Sequence, residues 1–134
     1  MRSRPSNIVS ARDIIRAVEE RDVDTLIRLT DPDVEWRSAF AVADGGLYRG
    51  HEGVQRYVAD MNDAWEVVRL AIEQELTIGD VVVFVGHIQV EGKGSGAATE
   101  SLAAYVLRFR EGRLTHFRPV RDPERAFAAL GGIE

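Results

Sequence analysis

A change of period constrains this chain more than any other feature. From Val68 the period changes to two, and glycine-bearing turns divide the stretch to Arg121, so it reads as long antiparallel strands. Leu70, Ile72, Gln74, Leu76 and Ile78 share one face of the first strand; Arg69, Ala71, Glu73, Glu75 and Thr77 share the other. Gly79-Asp80, with glycine first, suits a two-residue hairpin turn. Val81 to Val90 makes the next strand, and the glycine-rich GKGSGAA from Gly92 to Ala98 leads toward a third, Ser101 to Arg110. Glu111-Gly112 is another tight turn, and Arg113 to Arg121 is the last strand.

Upstream the period is helical. Ile8, Ala11, Ile14, Ile15 and Val18 recur on one helix face, with Ser6 or Ser10 as the expected cap and Ser10 to Asp13 as a capping box. Leu26, Ile27 and Leu29 mark a short second helix, which Asp31-Pro32-Asp33 ends because proline keeps its predecessor out of helix. Val34 and Trp36 alternate with Glu35 and Arg37, the pattern of a first strand. Val54, Tyr57, Val58, Met61, Ala64 and Trp65 follow the i, i+3, i+4, i+7 rule of an amphipathic helix. The segment YRGHEG, Tyr48 to Gly53, joins an extended stretch to that helix: Gly50 eases the turn and Glu52 suits the helix's positive end. Asp122-Pro123 opens a final helix that stops at Gly131. Helices, a strand, a helix, a run of strands and a short helix make an α+β domain.

The length, 134 residues, suits a single domain over 1–134 with a core large enough to need no staple. There is no cysteine, which excludes disulfides, thiolate chemistry and Cys-based zinc sites and fits a reducing, cytoplasmic location. A net charge of −5 argues against nucleic acid and against an anionic membrane surface as partners. MRSRPSNIVS has two arginines with no apolar run behind them, so no secretory signal is expected, and no window has the roughly 18 apolar residues of a membrane span. GKGSG lacks the spacing of a phosphate loop, and the three histidines lie on different elements, so neither a nucleotide nor a metal is expected.

The turns set the strand registers. With Gly79-Asp80 as a two-residue turn, Ile78 sits opposite Val81, Leu76 opposite Val83, Gln74 opposite Val85, Ile72 opposite His87 and Leu70 opposite Gln89. With Glu111-Gly112 as another, Phe109 faces Leu114, Leu107 faces His116, Tyr105 faces Arg118 and Ala103 faces Val120. Opposite residues share a face. Each hairpin then has a mostly apolar face with polar intruders: Gln74, His87 and Gln89 in the first, Tyr105, His116 and Arg118 in the second. An unpartnered buried polar group costs about 1–3 kcal/mol, so such a set implies a satisfied network or a solvated cavity. The other face of the second hairpin has Val106 and Phe117 in the middle and Arg108, Arg110, Arg113 and Arg121 toward its ends, the pattern of a subunit interface.

The segments DPDVEWR from Asp31, YRGHEGVQRYV from Tyr48, IGDVVV from Ile78 and LRFREGRLTHFRPVRDPERAFAALG from Leu107 resemble the nuclear-transport-factor-2-like superfamily. Within it the chain is most similar to the SnoaL-like polyketide cyclases and the ketosteroid-isomerase-like proteins. The resemblance implies a cone: a strongly curved, mainly antiparallel sheet wrapped around the N-terminal helices, with an internal pocket and pairing of two copies through the outer sheet face. It also implies a small-molecule ligand and a cofactor-independent isomerase, cyclase or dehydratase, or else a non-catalytic binding or dimerisation module. The sequence departs from the ketosteroid isomerase pattern, because the first helix has no tyrosine and the position of the base falls near Trp36 or Arg37. A scytalone-dehydratase-like set is matched in part by His87, His116, Tyr48 and Tyr105.

The expected catalytic residues are therefore His116 as the proton carrier, with Arg118 and Tyr105 stabilising a developing oxyanion. Trp36, Tyr48, Trp65, Gln74 and His87 are the expected substrate-binding residues.

Overall fold

The structure, a computed structural model, describes residues 7–38, 46–94 and 96–120. Helix α1 spans Asn7–Glu20 and buries Ala11, Ile14, Ile15 and Val18, the predicted face. Ser10 lies inside this helix and is buried rather than capping it; the other expected cap, Ser6, lies outside the described residues. Helix α2, Val23–Leu29, has Asp22 as its cap: one carboxylate oxygen accepts from the Thr25 amide at 3.2 Å, the other from the Thr25 hydroxyl at 2.7 Å. Strand β1, Thr30–Arg37, follows directly, and β2, Leu47–Arg49, pairs with it antiparallel.

The YRGHEG joint swings the chain from β2 into helix α3, Gly50–Ala64. Gly50 turns at φ +69°, and a Cβ there would lie 3.0 Å from the Pro32 carbonyl oxygen. His51 Nε2 meets the Thr30 carbonyl at 3.1 Å. Helix α3 buries Val54, Tyr57, Val58 and Met61. Trp65, expected on the helix, is instead the first residue of β3, Trp65–Ile78. Strands β4 (Val81–Gly92), β5 (Ala98–Arg110) and β6 (Arg113–Val120) complete the order. The final helix expected from Asp122 lies outside the described residues. Among the described residues no helix is long and apolar enough to cross a membrane.

The six strands form one curved, unclosed sheet in the order β2-β1-β6-β5-β4-β3, antiparallel except where β1 meets β6. Helices α1 and α3 lie on one face, and the main core sits between them and the sheet, with Trp36, Phe84, Phe109, Ile14, Leu107 and Leu114 fully buried. The face turned away from the helices carries a smaller apolar cluster of Val81, Val83, Val85 and Ala104. Strand β3 is an edge, and the end of α1 occupies part of its open hydrogen-bonding rim. Glu19 accepts from the Leu70 amide at 2.7 Å, and Arg21, held at φ 58°, donates to the Trp65 carbonyl at 2.9 Å.

The predicted registers hold next to the turns and fail beyond two bulges. Ile78 pairs with Val81 and Arg110 with Arg113, as expected. Glu73 is then an extra residue in β3, so Ile72 pairs with Gly86 instead of His87, and Leu70 with Ile88 instead of Gln89. Thr115 is an extra residue in β6, so Leu107 pairs with Phe117 instead of His116, and Tyr105 with Pro119 instead of Arg118. One unpaired residue shifts the register by one, which sends every later side chain to the other face. The Val81–Val85 half of the first hairpin is also apolar on both faces, and the set containing Gln74 belongs to the outer cluster.

Candidate aromatic ligand site

Five aromatic side chains from five elements meet under the inner face. Trp36 of β1 stacks on Phe117 of β6, with centroids 4.1 Å apart and planes 8° from parallel. Tyr57 of α3 lies 5.1 Å from Trp36, and Tyr105 of β5 lies 5.4 Å from Phe117. Tyr48 of β2 meets the Tyr57 ring edge-on at 5.5 Å. The strand alternation of β1 and β5 turns Trp36 and Tyr105 inward, and the Thr115 bulge does the same for Phe117. Tyr57, Tyr105 and Phe117 face a cavity of ≈ 10 Å³ whose other wall is aliphatic, from Ile15, Val18, Leu70 and Ile88, and which the exposed Arg37 also borders. That volume is enough for about one water molecule.

The polar atoms around this cavity are hydrogen-bond donors. Burial pushes the Tyr57 phenol well above its ordinary pKa; the neighbouring Tyr105 phenol adds to the rise and the Trp36 indole opposes it. Burial likewise raises Tyr105. Both phenols therefore stay neutral, O–H intact, at any physiological pH. The Trp36 indole N–H is buried and has no partner that meets full hydrogen-bonding geometry; its interaction with the Tyr57 hydroxyl is what opposes the rise of that phenol. Behind this group, burial raises the Tyr48 phenol to about 12, helped by its 2.5 Å hydrogen bond to Asp60 and opposed by Arg56, whose guanidinium lies 5.8 Å from the ring centroid. Tyr48 thus braces Tyr57 from outside the cavity.

The expected site residues divide between the two faces. Tyr105 and Trp36 point inward and belong to the aromatic group, with Tyr48 behind them. Trp65 is partly buried against the core at the start of β3, away from the cavity. Gln74 is exposed opposite Val85 on the outer face. His87 pairs with Ala71 on that face and has Nδ1 3.2 Å from Glu73. His116 is outside too, its Nε2 3.9 Å from Glu35 and its Nδ1 3.0 Å from the Thr115 hydroxyl. Arg118 is exposed opposite Val106. The structure therefore does not bring His116 and Arg118 together with Tyr105. Tyr57 and Phe117 replace them at the site; the phenol in the middle of an otherwise aliphatic helix face was the sequence signal for Tyr57. Among the described residues, no carboxylate or imidazole lines the cavity and no cluster of His, Cys, Asp or Glu could hold a metal ion.

Residues 11–117 match the family model of the SnoaL-like domain. The chain belongs to the SnoaL-like family. Its fold recurs in an NTF2-like protein of unknown function from Burkholderia pseudomallei, 23% identical, with 93% of this chain and 97% of that one covered at a TM-score of 0.78. It is also similar to TerC, solved with polyporic acid: 25% identity, 92% and 96% coverage, TM-score 0.76. A protein of ketosteroid isomerase-like fold from Catenulispora acidiphila, in complex with trimethylamine, is 19% identical over 88% and 86% of the two chains at a TM-score of 0.72. No curated protein matches the sequence. In this SnoaL-like chain, the described lining is aromatic and aliphatic, with the neutral phenols of Tyr57 and Tyr105 and the charged Arg37 as its polar groups. The chemistry of such a lining matches a planar apolar body that carries an oxygen, and none of its described groups is a base able to remove a proton from carbon.

Proposed function

We propose that this SnoaL-like protein binds a small, planar, oxygen-bearing and otherwise apolar molecule in its inner cavity, without catalysing a proton transfer. The observation that carries this reading is the buried, unpaired indole N–H of Trp36 beside the Tyr57 and Tyr105 phenols. A buried donor without an acceptor is a standing cost of about 1–3 kcal/mol, which an acceptor oxygen on a ligand would relieve. The likeness to TerC, crystallised with polyporic acid, supports a small organic ligand. Catalytic isomerisation, cyclisation or dehydration through His116 has no support from its position on the outer face. Isothermal titration with phenol is the test. Wild-type protein is expected to bind phenol, and Trp36→Phe, which keeps an aromatic ring but lacks the N–H, is expected to bind it roughly tenfold more weakly. Wild-type protein that shows no phenol binding at millimolar concentration would refute the reading.

A second copy of the chain is proposed as the partner of the outer face. Leu76 and Leu102 are exposed beside the buried valine cluster, with Arg108 and Arg118 toward one end of the face and Glu73 and Glu100 toward the other. A twofold axis through the apolar centre sets the basic end of one copy against the acidic end of the other. Sedimentation at tens of micromolar is expected to show a dimer that Arg118→Glu weakens and that adding Glu100→Arg restores. A monomeric wild-type protein would disprove the pairing.

A further inference from the structure

We infer that the Phe117 ring occupies the seat of the ligand on Trp36 and is the gate that sets which ligands enter; this rests on the binding function proposed above. Four observations converge on Phe117. Its ring lies flat on the indole at 4.1 Å and 8°, the geometry a planar aromatic ligand would adopt there. It lines the cavity, which in its presence measures only ≈ 10 Å³, too small for any organic molecule. It is the one aromatic ring of the cavity lining with no polar atom, so it fills space and leaves the Trp36 N–H and the Tyr57 and Tyr105 hydroxyls to other acceptors. It follows the Thr115 bulge in β6, where the ladder to β5 is irregular.

The consequence is a closed state that competes with the ligand. A planar molecule must displace the ring from the indole before stacking there, so the measured affinity is lowered by the fraction of molecules in which the ring has moved. Shortening the side chain removes that competition. The space it leaves differs from a purely hydrocarbon cavity, because it opens into a cavity lined by Tyr57, Tyr105 and Arg37, so it selects an oxygen-bearing ring over a hydrocarbon ring of equal size.

The experiment compares phenol with toluene, by isothermal titration, on wild type, Phe117→Ala and Phe117→Leu. The leucine variant retains most of the buried apolar volume and stands in if the alanine variant does not fold. Phenol is expected to bind a shortened variant roughly tenfold or more tightly than wild type, and toluene to bind that variant more weakly than phenol. A Tyr57→Phe change in the same background is expected to narrow the difference between the two probes. Wild-type binding of phenol with no gain in the variants overturns the gate and leaves the binding function standing. A variant that binds phenol while wild type does not bind it supports the seat and removes the function from the native chain. Equal binding of phenol and toluene by the variants overturns the role of the donors, and no binding by any form overturns both proposals.

Discussion

Alanine at Gly86 is expected to lower stability by about 3 kcal/mol or more, with a fall in Tm of roughly 10 °C or more. Gly86 sits on β4 opposite the bulge at Glu73, where β3 crosses closely over it. A Cβ built there would lie 1.9 Å from the Ala71 carbonyl oxygen and 2.9 Å from its carbonyl carbon. Both are backbone atoms, so no side chain can swing aside; the bulged strand itself has to move. Because β3 is an edge strand it can retreat, but only by giving up its ladder to β4 and the bonds that tie it to Glu19 and Arg21. Thermal denaturation with amide exchange along β3 checks this. A variant that melts within about 1 °C of wild type would mean the close crossing does not exist in solution.

Removing Trp36 is the second large effect. The side chain is wholly buried and contacts Tyr57 and Phe117, so Trp36→Ala is expected to cost about 3–5 kcal/mol, a large part of a typical domain's 5–15. Trp36→Phe loses less volume and keeps a ring for Phe117 to stack on. It also removes the unpaired N–H, so the desolvation cost of that donor disappears with it. Its expected cost is under about 2 kcal/mol. Denaturant titration of the two variants measures the contrast. Equal losses would show that the ring phenylalanine retains at position 36 adds nothing, neither by its volume nor by its stack on Phe117.

Tyr57 and Tyr105 set the pH behaviour of the site. Both phenols are raised by burial, so neither gains a charge in the physiological range and the donor set is constant across it. A histidine at the same place would have titrated there. The position of His116 beside Glu35 on the outer face therefore changes the expected chemistry of the cavity as well as its membership.

How much of this was legible depends on how far along the chain the deciding interaction acts. The apolar periods of α1 and α3 and the two-residue turns involve neighbours a few positions apart, and they appeared where the sequence put them. Gly79 and Gly112 both turn with positive φ, the conformation for which glycine is selected, and Glu111 shares it in the second turn. Family membership was legible for the same reason, since the segments that carry it are local.

The faces of the long strands were not legible, because parity was counted outward from each turn and a bulge breaks the count. Leu114 and Phe117 are three positions apart, and that odd spacing between two large apolar residues was the one visible trace of Thr115. Strict alternation instead gave the inner places to His116 and Arg118. On β4 the letters carried no trace, since Val81 to Val85 is apolar on both faces.

Among the described residues, the sequence by itself determined the helices, the long strands, their order and their two-residue turns, because backbone propensity and hydrophobic period act within a few residues. Only the tertiary structure decided which side chains share the cavity. Each bulge forms within a hairpin, but its place is set by how the whole sheet must twist and bend around α1 and α3, and that requirement is met across the sheet and written in no single strand.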